Sequence, residues 1–271
     1  MRKLGQHFLR NATIVAQMVH AIAPAERDEV IEIGPGHGEL SDALTEACAA
    51  AGARLTLIER DPALAEGLRT RFGGRAGMME IKEGDALKLF PVIYAEAAAR
   101  ADGAGGEVKM AGNLPYYITG HLLREIGEMP QPPARAVFMI QQEVAERITA
   151  IPPHMNRLAA SVQFWAQPSI IAHVSRKDFS PPPEVESAVI VLETVARKNA
   201  GSGPAKDHYY AAVRAAFAQP RKTLINNLSA GRPDLAKNAV AGTIKVIGLP
   251  ADARPQDLSI DDIRRISEAL F

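Results

Sequence analysis

The stretch AGNLPYYITG, residues 111–120, sets three side chains together that a strand interior would not favour. Asn113 carries a carboxamide, which offers a donor and an acceptor side by side. Pro115 fixes a turn. Tyr116 adds an aromatic face. Such a set can hold a flat polar group by its edge and its face, with no metal and no strong base. A second set lies upstream. In EIGPGHGEL, residues 32–40, the glycines at 34, 36 and 38 let the backbone turn tightly and approach a ligand closely. The spacing E-x-G-x-G-x-G departs from the dinucleotide fingerprint, whose third glycine falls three residues after its second. Glu59 and Asp85 each end or follow a short apolar run, and Glu32 sits just before the loop. Seven histidines are scattered, and no His/Cys/Asp group has metal-ligand spacing. No Ser-His-Asp or Cys-His arrangement is supported. Cys48, on an alanine-rich stretch, reads as packing.

These residues need a frame that brings strand ends together. EVIEI (29–33), RLTLIE (54–59), MMEIKEG (78–84), EVKMAG (107–112) and ARAVFMI (134–140) read as buried strands. Helices are expected near 39–51, 62–72 and 117–129, with Pro62 suited to a first helical turn. Strands alternating with helices give an α/β fold with a parallel sheet covered on both faces. PSIIAHVS (168–175) and SAVIVLE (187–193) follow with no room for a helix between them, so one antiparallel edge strand is expected. ADGAGGE (101–107) reads as a loop, and residues 197–205, RKNAGSGPA, as a linker. Beyond it, 206–271 reads as helical. The expected division is a domain over 1–196 and a small helical domain over 205–271. Glu59, Asp85 and the glycine loop would then lie at carboxyl ends of adjacent strands, where doubly wound sheets bind ligands.

The bulk properties exclude several classes. The chain has 271 residues and no net charge, with 47% hydrophobic and 23% charged residues, an ordinary globular composition. Its single cysteine allows no internal disulfide and fits a reducing compartment. The basic start MRKLGQHFLRN lacks the apolar run of a signal peptide, and no stretch nears the roughly 20 apolar residues of a membrane span. A cytoplasmic protein with no membrane and no metal partner is expected. Basic residues gather at 1–11 and at 206–245, including Arg221, Lys222, Lys237 and Lys245, which suits a polyanion gripped at defined places.

The glycine loop resembles the S-adenosylmethionine loop of class I (Rossmann-like) methyltransferases, and NLPY resembles N-[LIP]-P-[YF], the catalytic loop of adenine amino-methyltransferases. GQHFL (5–9), EIGPGHGEL, LIERD (57–61), GDAL (84–87), NLPYYI (113–118) and FSPPPEVESAVI (179–190) stand in the order and spacing of the ribosomal RNA adenine N6-dimethyltransferase family, closest to its bacterial small-subunit (16S) branch. The resemblance spans nearly the whole chain. It implies an S-adenosylmethionine-dependent enzyme of ribosome biogenesis that dimethylates two adjacent adenines in the 3′-terminal hairpin of 16S rRNA. It implies cofactor contacts from His7, Leu9, Gly34, Gly36, Glu59, Asp85 and Asn113, with Glu59 on the ribose hydroxyls and Asp85 on the adenine amine. Asn113 and a carbonyl of Leu114 or Pro115 would hold the target amine. Tyr116 and Phe179 would lie on opposite faces of the flipped base. The C-terminal helices would bind RNA. The family's 23S enzymes of the macrolide-resistance type share these motifs; the full FSPPPEVESAVI text and the long helical tail favour the small-subunit branch over them, and the intact acids and NLPY speak against a non-catalytic assembly factor on the same fold. Three positions depart from the family pattern. His7 replaces an asparagine. HMNRLAAS replaces a Tyr-Gly-Arg-Leu-Ser stretch while keeping Arg157 and Leu158. Pro220-Arg221-Lys222 replaces Arg-Arg-Lys.

Overall fold

The computed structural model describes residues 7–75, 77–195 and 206–271. Arg2, Lys3, the first two residues of GQHFL and the linker at 197–205 lie outside the described residues. In chain order the elements are β1 (Phe8–Leu9), α1 (Ala12–Ile22), β2 (Glu29–Ile33), α2 (Glu39–Ala51), β3 (Arg54–Glu59), α3 (Pro62–Phe72), β4 (Met79–Glu83), α4 (Ala86–Ala104), β5 (Val108–Asn113), α5 (Thr119–Glu128), β6 (Arg135–Gln141), α6 (Gln142–Ile148), α7 (Arg157–Gln163), β7 (Ala166–Val174), β8 (Phe179–Ser180), β9 (Ser187–Thr194), α8 (Lys206–Ala216), α9 (Leu224–Gly231), α10 (Lys237–Ile247) and α11 (Ile260–Leu270). The contacts divide the chain into one unit of residues 1–145 and 168–194 and a second of residues 146–167 and 195–271. The second unit thus takes in α7, a segment that interrupts the first in sequence. A linear division at 196 and 205 does not describe the packing.

The first unit is built on a seven-stranded sheet of order β4-β3-β2-β5-β6-β9-β7. Strands β4, β3, β2, β5 and β6 are parallel. β2 and β5 are buried along nearly their whole length, as expected of strands covered on both faces. Val30, Leu55, Leu57, Ala111, Val137 and Met139 share one core with Met18 and Ile22 of α1, Leu44 of α2 and Leu68 of α3. The alternating Ile31, Ile33, Met110 and Phe138 are buried on the other face. There α4 packs on β2 and β5.

Two elements differ from the sequence expectation. β9 runs antiparallel to β6, but it lies second from the edge, and β7 is the edge strand. Burial gives the reason. Residues 187–192 are all buried, while β7 is buried only at its two ends and alternates exposed and half-buried positions between them. An apolar run belongs inside a sheet and an alternating one at its border. The segment 101–107 is also not wholly a loop. α4 continues to Ala104, and Gly105 ends it in the left-handed region at φ +76. α1 carries its own start signal: the Asn11 side chain accepts from the N–H groups of Thr13 at 3.0 Å and Ile14 at 3.3 Å.

A buried ion pair ties down the amino-terminal ends of β2 and β5. Lys109 Nζ stands 2.7 Å from Asp28 Oδ2 and donates to the Ala23 carbonyl at 2.7 Å. Asp28 also accepts from the N–H groups of Ala25 at 2.8 Å and Glu107 at 2.9 Å. Both residues are buried. Lys109→Met leaves a buried carboxylate without its cation and is expected to cost about 3–5 kcal/mol in urea unfolding. A loss below about 1 kcal/mol would show that the pair is not what holds these ends.

The second unit has a core of its own. Tyr209 and Val213 of α8, Leu224 and Leu228 of α9, Val240 and Ile244 of α10, and Ile263 and Ile266 of α11 are buried with Ala159 and Ala160 of α7. The Tyr209 hydroxyl donates to the Ala160 carbonyl at 2.9 Å, and its ring stacks on Phe164 at 4.0 Å. Ser259 and Asp262 form a capping box at the start of α11. Among the described residues no helix is long and apolar enough to cross a membrane, and no group of three or more His, Cys, Asp or Glu could hold a metal ion.

Candidate active site

β2 has β3 on one side and β5 on the other. From β2 the chain builds outward through β3 and β4, then returns to start β5 and β6 on the opposite flank. The crevice at this switch point is where open α/β sheets bind ligands. The glycine loop leaves β2 and the Asn113 loop leaves β5, so both border it.

Backbone approach here requires glycine at two positions. A Cβ on Gly112 would fall 2.4 Å from the Ile33 carbonyl oxygen, so β2 and β5 cannot diverge around a side chain there. Gly36 has φ +61, and its Cβ would fall 2.9 Å from the Phe8 ring. The amino-terminal segment therefore lies directly on the loop. It is fixed by the pairing of β1 with β8, Phe8 opposite Ser180 and Leu9 opposite Phe179. Phe8 also packs against His37 at 4.1 Å between ring centroids.

One cleft is lined by His7, Leu9, Gly34, Gly36, Glu59, Asn113, Leu114, Pro115 and Tyr116, so nine of the expected residues meet. Asp85 lines an adjoining recess that shares Gly34, Glu59 and Pro115 with the cleft. One of its oxygens accepts from the Leu87 N–H at 3.1 Å and caps α4; the other has no partner within the α4 cap. Phe179 is not brought to the cleft. It is 5% exposed and packs in the sheet core beside Leu9 and Val174, because β1 covers it. In this structure it anchors the amino-terminal strand.

Glu59 is held in place before any ligand arrives. Its Oε2 accepts from the Gly36 N–H at 3.0 Å and its Oε1 from the Asp61 N–H at 2.8 Å. Each oxygen retains a second lone pair. Burial pushes its pKa up, and the N–H groups of Asp61 and Gly36 oppose that shift. Glu32 is more extreme. It lines the cleft, it is 1% exposed, and its Oε2 has no hydrogen-bond partner. Burial pushes its pKa up to about 8, with the Ser41 hydroxyl opposing and Glu59 adding to the shift. A carboxyl raised from an unfolded value near 4.5 to about 8 is protonated in the native state where the unfolded chain is ionised. Stability then falls as pH rises from 4.5 to 8, and the full cost remains above 8. Glu32→Gln removes this dependence. Its stability relative to the parent is expected to grow by up to about 1.4 kcal/mol per pH unit across that window, read by chemical unfolding. Parallel profiles for the two proteins would contradict it.

The Asn113 carboxamide is oriented by the amino-terminal segment. Its Nδ2 donates to the His7 carbonyl at 2.9 Å, which leaves Oδ1 as the free acceptor. The turn after it is closed: Leu114 N–H donates to the Met139 carbonyl at 3.0 Å, and Ile118 N–H to the Pro115 carbonyl at 3.0 Å. Tyr116 is half-buried, and its hydroxyl lies 2.8 Å from Ser187 Oγ. The sequence reading missed Phe8, Glu39 and Ser187 as parts of this site. Phe8 and Ser187 both lie inside motifs that were visible, GQHFL and FSPPPEVESAVI.

The arrangement has known counterparts. The family model for "Ribosomal RNA adenine dimethylase" matches residues 1–270. A protein named "Ribosomal RNA small subunit methyltransferase A" from Pelotomaculum thermopropionicum is 36% identical, over 100% of this chain and 91% of its own. Its namesake from Chromohalobacter salexigens is 35% identical, over 98% and 89%. Two solved structures share the fold at 22% identity. A dimethyladenosine transferase from Plasmodium falciparum has a TM-score of 0.77 over 96% of each chain. The 23S rRNA methyltransferase ErmE has a TM-score of 0.71 over 97% of this chain and 99% of its own. The match along the whole length, with the glycine loop and the Asn-Leu-Pro-Tyr turn facing one crevice, shows that the chain belongs to the ribosomal RNA adenine dimethylase family of S-adenosylmethionine-dependent methyltransferases.

Proposed function

We propose that this chain binds S-adenosylmethionine in the cleft between β2 and β5. We further propose that it dimethylates the N6 amines of two adjacent adenines in the 3′-terminal hairpin of 16S rRNA, late in small-subunit assembly. The observation that carries the reading is Asn113, whose free Oδ1 borders the same cleft as the glycine loop and Glu59. The residues fit the cofactor: Glu32 brings an unpartnered buried oxygen, and Glu59 keeps two lone pairs for ribose hydroxyls. Gly34 and Gly36 let the backbone approach, with Leu9 and His7 closing the cleft. The free oxygen of Asp85 serves the adenine amine from the adjoining recess.

The cofactor supplies an electrophilic methyl group on a sulfonium. Adenine N6 is a poor nucleophile because its lone pair is shared with the ring. Asn113 Oδ1 accepts one N6 hydrogen. The carbonyl of Leu114 or Pro115 accepts the other, and the Ile118 N–H bond to the Pro115 carbonyl holds that turn in shape. Held this way, the nitrogen is turned toward the methyl group and its pyramidal form is favoured. Tyr116 stacks on the base. The work is positioning, and a near-attack arrangement alone supplies a large part of such an acceleration.

The helical unit binds structured RNA mainly through phosphates. Arg221, Lys222, Lys237 and Lys245 are exposed there. Small subunits are in the cytoplasm, and the single, buried, free Cys48 suits that compartment. The test is transfer of labelled methyl from S-adenosylmethionine to small subunits that lack the modification, beside large subunits. Label in small-subunit RNA alone is expected. Label in large-subunit RNA would move the substrate to 23S rRNA, and cofactor and subunit binding without label would leave an assembly factor.

A further inference from the structure

Ser187 opens β9 within the FSPPPEVESAVI text, and the chemistry above leaves it without a task. It is 0% exposed, and its hydroxyl lies 2.8 Å from the Tyr116 hydroxyl, 71 residues away in sequence. The serine is a fixed point. It pairs with Gln141 in the β6–β9 ladder. Beside it, the Gln142 N–H donates to the Glu186 carbonyl at 3.0 Å. The Glu186 side chain in turn accepts from the Arg176 N–H at 2.7 Å. Tyr116, by contrast, sits on a turn with its ring half-buried. A tyrosine has two side-chain rotations. The hydroxyl lies on the axis of the second, so a bond at the far end of the ring restrains the first, which swings the ring as a whole.

We propose that Ser187 is a positioning residue whose hydroxyl fixes where the Tyr116 ring lies over the target adenine. The proposal rests on the reading of Tyr116 as the stacking ring. The phenol of a half-exposed tyrosine can pair with water, so Tyr116 gains placement from this bond, while the buried Ser187 hydroxyl gains a partner. The bond links the edge-side strand β9 to the loop after β5, so two separate motifs act on one base.

The test is steady-state methyl transfer from S-adenosylmethionine to small subunits that lack the modification. Ser187→Ala is expected to lower kcat about tenfold while the KM for S-adenosylmethionine and the thermal midpoint stay near the parent values. Tyr116→Phe removes the same bond from the cleft side and is expected to cause a similar loss. The double variant is expected to lose no more than either single one, the signature of a shared interaction. Parent-like kcat in Ser187→Ala, or single losses that multiply in the double variant, would overturn the proposal. Should Ser187→Ala fail to fold, Tyr116→Phe alone decides, and a parent-like kcat overturns it. If the parent protein itself transfers no methyl to adenine, the functional reading fails and not the role of the bond.

Discussion

Asn113→Ala is expected to lower methyl transfer by about 10³-fold while the affinity for S-adenosylmethionine changes by no more than about threefold. The carboxamide sits where β5 ends, with its nitrogen committed to the His7 carbonyl and its oxygen free. Its oxygen is thus preorganised for one N6 hydrogen, and alanine offers nothing in its place. Cofactor binding should survive because the glycine loop, Glu59 and Glu32 are untouched. Asn113→Asp separates the acceptor from its orientation. It keeps an acceptor but sets a carboxylate against the His7 carbonyl, so the orientation is lost, and a large fall in transfer is again expected. Single-turnover transfer with calorimetry of cofactor binding checks both variants. Transfer above about a tenth of the parent rate in Asn113→Ala would remove Asn113 from the chemistry.

Glu59→Ala is expected to raise the dissociation constant for S-adenosylmethionine by about 10²-fold or more. A hydrogen bond to a charged group contributes about 1.5–3 kcal/mol, and two ribose hydroxyls are in question. The change also strips the acceptor from the Gly36 and Asp61 N–H groups, which hold the loop open in its φ +61 conformation. Glu59→Gln should fall between, because an amide oxygen can replace one acceptor while its NH2 faces a backbone donor. Calorimetry on both variants gives the order directly. An unchanged constant in Glu59→Ala would assign Glu59 to the loop alone.

Much of the site is legible because its signals are local. The glycine spacing, the acid that ends RLTLIE and the Asn-Leu-Pro-Tyr turn each declare themselves within a few residues, and strand alternation places them at one sheet end. What is not legible depends on distant partners. An aromatic before three prolines does not show its neighbour; Leu9, 170 positions away in sequence, pairs with Phe179 and makes it an anchor for the amino-terminal strand. The order β6-β9-β7 follows from which of two apolar strands tolerates water on one face, and SAVIVL against PSIIAHV already carried that difference. α1 was available from Asn11, whose type and place before an apolar periodic run match a helix start. The assignment of residues 146–167 to the helical unit has no local signal, because it is made by contacts with helices late in the chain. The raised pKa of Glu32 is likewise a property of burial, which the loop motif alone does not reveal.

The most direct measurement is identification of the modified nucleoside and its place. Small subunits lacking the modification would be incubated with this protein and S-adenosylmethionine, and their RNA digested and analysed by mass, with primer extension to map the stops. N6,N6-dimethyladenosine is expected at two adjacent positions near the 3′ end of 16S rRNA, and none when Asn113→Ala replaces the parent. Methyl groups on another base, or on adenines only in large-subunit RNA, would contradict it.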